Sequence, residues 1–96
     1  MTRSDLAFQL RISLLEVLAP DGRCAHCQRF AALEELEIDH PDGRTWCGRS
    51  LNFLDRIRRQ WREWSNGLKL QAACRGCNAA DGVRFRGQRR YAVAYR

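Results

Sequence analysis

The chain has 96 residues, a length that favours one domain whose core needs help from a metal ion, a disulfide or a partner. Its hydrophobic fraction of 45% excludes a disordered chain, and no apolar stretch is free enough of charge to predict a membrane span. The net charge is +6, with Lys69 as the only lysine, which favours a polyanionic partner, although a high arginine content also arises from genome composition.

The first predicted element is a helix over about residues 5–19, with Ser4 as its N-cap. Leucines recur at every fourth position and so share one helix face: Leu6, Leu10, Leu14 and Leu18. Other apolar residues widen this face, so the helix either caps the small core or also packs against a second subunit of a homodimer. The stretch contains Arg11 and Glu16 and has no cleavage site after it, so we interpret it as a helix and not a signal peptide, and expect a cytoplasmic protein.

Two strands and two further helices are predicted after the Pro20-Asp21-Gly22 turn. Residues 33–39 alternate as a strand, and residues 68–73 alternate as a second one. A helix over about 51–65, with Ser50 as its N-cap, lies between them in the chain. A short helix opens near Cys74, and a basic tail follows over 83–96. The sequence therefore predicts a small α+β domain spanning residues 1–96.

Two Cys-x-x-Cys pairs are the strongest chemical motif: Cys24 with Cys27, and Cys74 with Cys77. Each spacing allows a tight turn to direct two thiolates at one ion, and four sulfurs complete the tetrahedral coordination of a structural Zn²⁺. The alternative is two disulfides or free thiols, which a reducing compartment disfavours. We interpret Cys47 as a free, partly buried thiol and His26, inside the first pair, as an exposed spacer.

A second motif, Asp39-His40-Pro41, directly follows the first strand. A carboxylate is a hard oxygen ligand for a divalent cation, and a histidine with an ordinary pKa near ~6.5 is a suitable general base. Both side chains serve one site only if the strand ends here, which Pro41 and the following turn favour. The alternative is an ordinary turn with a cap.

The order of these motifs over about residues 24–82 resembles the HNH endonucleases, which belong to the His-Me finger or ββα-metal nucleases, and in particular their small zinc-bearing phage and prokaryotic members. The resemblance implies a ββα-metal core with a zinc site of four cysteines. It implies that Asp39 and Asn78 bind a catalytic Mg²⁺ or Mn²⁺, and that His40 activates water.

The chain departs from the family's pattern at two positions. Lys69 stands where the family has its middle asparagine, whose role is then lost, moved to Asn66 or Asn52, or filled by Lys69 itself. Asp81 stands where the family often has a lysine. Asp81 either supports the metal site or simply closes the last helix with Gly82.

The function that the resemblance implies is metal-dependent hydrolysis of DNA phosphodiester bonds, with low sequence specificity because no sequence-reading module is present. Six arginines are the predicted DNA contacts: Arg44, Arg75, Arg84, Arg86, Arg89 and Arg90. The protein acts alone, as a homodimer, or inside a phage or restriction assembly. The alternative is a catalytically silent, zinc-dependent module that binds nucleic acid or protein, which the exchange to Lys69 would explain.

Overall fold

The computed structural model describes residues 1–80. The predictions that fall on Asp81 and on the basic tail over 83–96, with its predicted DNA contacts Arg84, Arg86, Arg89 and Arg90, lie outside the described residues.

Helix α1 spans Arg3–Leu18, and its start is set by a capping box. The Thr2 hydroxyl accepts a hydrogen bond from the Asp5 backbone N–H, and the Asp5 carboxylate accepts one from the Thr2 N–H, each at 3.1 Å. The prediction of Ser4 as the N-cap is therefore wrong, because the reciprocal pair satisfies two N–H groups where a lone serine satisfies one. The predicted turn after the helix is present, with Gly22 at a φ of +73°.

The sheet has two antiparallel strands, β1 (Leu36–Asp39) and β2 (Gln71–Cys74). Both strands are shorter than predicted. Residues Leu33–Glu35 form a 3₁₀ turn ahead of β1, and residues 68–70 precede β2 without pairing. In the register, Leu36 lies opposite Cys74 and Asp39 lies opposite Gln71, so the end of β1 meets the start of β2.

Helix α2 spans Phe53–Ser65 and lies between the two strands in the chain, as predicted. Its N-cap is Asn52, whose side-chain oxygen accepts the Asp55 N–H at 2.8 Å; the predicted cap, Ser50, belongs instead to a preceding 3₁₀ turn. Helix α3 begins at residue 75 and continues to residue 80, the last described position. The predicted small α+β fold is confirmed at this level.

The core lies on both sides of α1. On one side Leu14 packs in a cluster with Leu54 and Ile57 of α2, and on the other Leu15 packs with Leu36 of β1. Leu14 and Leu15 therefore pack within one chain, whereas Phe8, which also widens the apolar face, is 49% exposed, so the homodimer contact stays a prediction. The indole N–H of Trp61 also donates to the Leu10 carbonyl at 2.8 Å, which ties α2 to α1. No helix within residues 1–80 has the length and hydrophobicity needed to cross a bilayer.

Leu14→Ala is expected to lower the free energy of unfolding by about 3 kcal/mol, because it leaves a cavity between α1 and α2. Leu14 is completely buried, whereas Val17 on the same helix is 46% exposed. The matched change Val17→Ala should therefore cost less than about 0.5 kcal/mol. Urea denaturation followed by circular dichroism measures both values. Equal losses for the two variants would contradict the packing described here.

Candidate metal centre and active site

The four predicted cysteine ligands come together at one point. Their sulfur atoms all lie within 4.8 Å of one another, and the Cys27 and Cys74 sulfurs are 4.0 Å apart. A tetrahedral ion with metal–sulfur bonds of about 2.3 Å requires sulfur–sulfur spacings of about 3.8 Å. The cluster is therefore able to hold a metal ion such as zinc, and all five cysteines are free of disulfides.

The backbone around the first pair fixes its position on the sheet. The Gln28 N–H donates to the Cys24 carbonyl at 3.0 Å, and Gln28 adopts a left-handed φ of +63° that closes this turn. The Ala25 N–H donates to the Ala72 carbonyl at 2.8 Å, which fastens the turn to β2. Because β2 ends at Cys74 and α3 follows at once, all four sulfurs converge.

The electrostatics of the cluster favour a bound cation. Burial raises the pKa of Cys24, but backbone N–H groups at Cys27, Cys74 and His26 oppose it, and the pKa falls to about 6. The thiol of Cys74, then burial, then the other two cysteines raise the pKa of Cys77 to about 12. Without a cation the four sulfurs cannot all be thiolates, whereas a divalent ion would stabilise the negative form of each.

Asp39 lies at the end of β1 and is only 4% exposed. Its carboxylate accepts a hydrogen bond from the side-chain amide of Gln71 at 2.8 Å, and the same oxygen lies 3.2 Å from Nε2 of His26. His26 is exposed, as predicted, but its imidazole also has a partner in Asp39, which the interpretation as a spacer did not include. The turn that carries the first cysteine pair also places an imidazole against Asp39, so formation of the cysteine cluster helps to position Asp39.

The side chain of His40 contacts α2. Its Nε2 lies 2.9 Å from one carboxylate oxygen of Glu63, and the indole N–H of Trp46 donates to the other at 3.1 Å. The Trp46 ring also packs edge-on against the imidazole, with centroids 5.8 Å apart. Because a carboxylate oxygen accepts hydrogen bonds, this contact favours the tautomer of His40 with its proton on Nε2, which leaves Nδ1 as the acceptor nitrogen of the ring.

The backbone after His40 forms the predicted turn. The Gly43 N–H donates to the His40 carbonyl at 2.9 Å, and Gly43 has a φ of +90°, a conformation that glycine adopts without steric cost. The strand thus ends at Asp39, as the motif required. Asp39 and His40 are adjacent in sequence and both buried, but their side chains have different hydrogen-bond partners.

Asn78, the third predicted catalytic residue, lies in α3 against β1. Its amide nitrogen donates to the Glu37 carboxylate at 2.7 Å, and this leaves the amide oxygen as its ligand atom. Oxygen donors from Asp39 and Asn78 suit a hard cation such as Mg²⁺. Within residues 1–80, the group of three or more His, Cys, Asp or Glu side chains close enough to share an ion is the cysteine cluster, which does not include Asp39. The catalytic cation site therefore stays a prediction.

The three residues predicted to replace the family's middle asparagine are Asn52, Asn66 and Lys69, and no hydrogen bond to His40 is shown for any of them in the described part of the chain. Asn52 caps the start of α2, and Asn66 lies at its end, where its N–H donates to the Arg62 carbonyl. Lys69 is exposed. Glu63 is the side chain that holds His40.

The remaining predicted residues lie at the surface or near it. Cys47 is exposed, so the expectation of partial burial is wrong. Arg44 lies over the Trp46 ring, with its guanidinium carbon 4.6 Å from the ring centroid. Arg75 is exposed at the start of α3.

Comparisons with family models, curated proteins and solved structures found no match to this chain. The likeness to HNH endonucleases therefore depends on the quoted motifs and on the geometry of the residues themselves.

Two side chains that contact the predicted site residues escaped the sequence interpretation, Glu63 and Gln71. Glu63 is one of two acidic residues in a helix rich in arginine, and such an exception indicates a specific partner. Its contact with His40 spans 23 positions of the chain, however, and forms only when α2 packs beside the end of β1. Gln71 becomes the partner of Asp39 only through the strand register.

Proposed function

We propose that this protein is a metal-dependent DNA endonuclease of the HNH type, with a ββα-metal core formed by β1, β2 and α3. The observation that carries the proposal is the hydrogen-bonded arrangement of His40, Glu63 and Trp46 at the end of β1, in which the histidine and the tryptophan are buried. A turn that merely connects two elements needs no imidazole whose tautomer is fixed by a carboxylate with two hydrogen-bonded oxygens. A histidine that acts as a general base is commonly oriented by such a carboxylate.

His40 takes the proton from the attacking water at Nδ1. Glu63 accepts the hydrogen bond from Nε2, keeps that proton in place and stabilises the imidazolium as it forms, which is the role that a carboxylate has beside a histidine base in other hydrolases. Trp46 holds the second oxygen of Glu63 and packs against the ring, so the imidazole has one orientation.

Asp39 and Asn78 are the residues that would hold a catalytic Mg²⁺ or Mn²⁺. Such an ion would supply charge stabilisation at the scissile phosphate and the leaving 3′ oxygen. Gln71 and His26 orient the Asp39 carboxylate, and Glu37 orients the Asn78 amide. The products are expected to have 5′-phosphate and 3′-hydroxyl ends.

The cysteine cluster holds a structural zinc ion in this proposal. Four sulfur ligands leave no open position for substrate, so the ion acts on the fold and not on the reaction. The basic composition supports DNA as the substrate, because arginine contacts to phosphates give affinity without reading sequence. No sequence-reading element accompanies them within residues 1–80, and low sequence specificity is expected.

The test is nicking of supercoiled plasmid by zinc-loaded protein, with Mg²⁺, with Mn²⁺, and with no added divalent cation. The proposal predicts conversion to the open circular form only when Mg²⁺ or Mn²⁺ is added. A folded, zinc-bound protein that retards DNA on a gel but cuts it under none of these conditions would be a catalytically silent binding module instead.

A further inference from the structure

A polar cleft of about 290 Å³ opens beside the candidate active site. Three arginines from three parts of the chain line it: Arg11 from α1, Arg44 from the segment after β1, and Arg56 from α2. Asn78 and Glu37 form part of its polar wall. We refer to it as the arginine cleft.

Arg56, which lines this cleft, carries an unsatisfied donor. Within residues 1–80, its Nε is the buried side-chain nitrogen or oxygen for which the structure shows no hydrogen-bond partner. A buried charged donor without an acceptor is unfavourable, and such a group in a native protein signals a missing water, ion or ligand. An anion in the cleft would supply the acceptor.

The other two guanidinium groups are held in place by the fold. Arg11 donates to the Glu34 and Leu36 carbonyls, which fixes its charge at the edge of β1. A Cβ at position 48 would lie 3.0 Å from an amino nitrogen of Arg44, so the glycine there leaves room for this guanidinium between Gly48 and the Trp46 ring. The cleft is therefore preorganised, and less side-chain entropy is lost when it binds an anion.

The charge of the cleft suits a phosphodiester. Glu37 is the acidic residue among its described lining residues, and Asn78 already donates to it. Among the described lining residues, three are arginines and one is a glutamate, so their summed formal charge is positive. The planar fork of arginine matches the oxygens of phosphate, and arginine loses hydration more readily than lysine does.

We propose that the arginine cleft binds a backbone phosphate of the DNA strand that is cut, one that flanks the scissile phosphate. This proposal rests on the proposed endonuclease function. Asn78 lines the cleft and is also a predicted ligand of the catalytic cation. Arg56 and Glu63, which holds His40, are separated by seven residues of α2, or about 10 Å at 1.5 Å per residue, a distance that a few nucleotide steps span.

The experiment compares Arg56→Gln with Arg58→Gln, the same change at an exposed position of the same helix. Binding of a short fluorescent DNA duplex is measured by anisotropy without added divalent cation, over a series of salt concentrations. Arg56→Gln is expected to raise Kd about 10-fold and to reduce the salt slope by about 1, because one buried phosphate contact is lost. Arg58→Gln should raise Kd less than about 3-fold. Arg56→Lys keeps the positive charge but loses the planar guanidinium group, so its Kd should lie between those of the two glutamine variants.

Circular dichroism and zinc content establish that each variant is folded. If Arg56→Gln binds no more weakly than Arg58→Gln, the cleft is not a phosphate site, whatever the plasmid assay shows. If the wild type never cuts DNA but Arg56→Gln still loses binding selectively, the cleft stands and the endonuclease function fails. Should the variants cut plasmid, Arg56→Gln must raise KM and leave kcat within about 2-fold, since its contact is present before and during the reaction.

Discussion

Cys74→Ser is expected to abolish the cooperative unfolding transition of this protein and its zinc content together. The four sulfurs meet where β2, α3 and the turn that carries the first cysteine pair join. The core of the described residues is small: its largest fully buried side chains are Leu14, Leu15, Leu36, Ile57 and Cys24. Metal binding supplies on the order of 10 kcal/mol or more in small zinc domains, which is comparable with the whole net stability of a domain this size. Losing one ligand therefore removes most of what keeps the chain folded.

Cys47→Ser is the matched control, because Cys47 is an exposed thiol outside the cluster. It should bind one zinc per chain and unfold within about 0.5 kcal/mol of the wild type. Metal content by mass spectrometry of the native protein and thermal denaturation by circular dichroism measure both effects. If Cys74→Ser kept the wild-type transition, the cysteine cluster would not be a structural metal site.

Glu63→Gln is expected to lower kcat for DNA cleavage by about 100-fold or more while leaving KM nearly unchanged. The glutamine amide is able to donate to Nε2 of His40 where the glutamate only accepts. That donation favours the tautomer with its proton on Nδ1, and the nitrogen that should take a proton from water is then already protonated. In the proposed mechanism Glu63 is a positioning residue that acts through His40.

A surface glutamate provides the control for the lost charge. Glu16→Gln removes one negative charge from an exposed position of α1 and should change kcat less than about 2-fold. The ¹⁵N chemical shifts of the His40 ring report its tautomer directly, and they should exchange between Nδ1 and Nε2 in Glu63→Gln. A full loss of activity without any change of tautomer would mean that Glu63 acts only on stability.

The sequence predicts what depends on local pattern. The spacing of the two cysteine pairs predicts the metal cluster, and the four-residue spacing of leucines predicts the buried face of α1. The proline after His40 and the glycine at position 43 predict that β1 ends where it does. The leucine face and the end of β1 are encoded by neighbours within one element, whereas each cysteine pair is local and the meeting of the two pairs depends on the fold.

What escapes the sequence depends on packing between distant segments. The partner of His40 lies 23 positions away on α2, and the partner of Asp39 lies across the sheet. His26 resembles a spacer until the first cysteine turn is placed on β2. The predicted N-cap of α1 is wrong for a different reason. Thr2 and Ser4 are both residues that cap helices well, and only the reciprocal hydrogen bonds between Thr2 and Asp5 decide between them.

The most direct measurement compares wild-type protein with His40→Ala in the plasmid-nicking assay, both purified identically and matched for zinc content and circular dichroism. Identical purification gives both samples the same exposure to contaminating nucleases. The general-base role predicts Mg²⁺- or Mn²⁺-dependent nicking by the wild type and a loss of at least about 100-fold in His40→Ala, with DNA binding retained. Nicking at the same rate by the two proteins would contradict the assignment of His40 as the base and, with it, the endonuclease function proposed for this site.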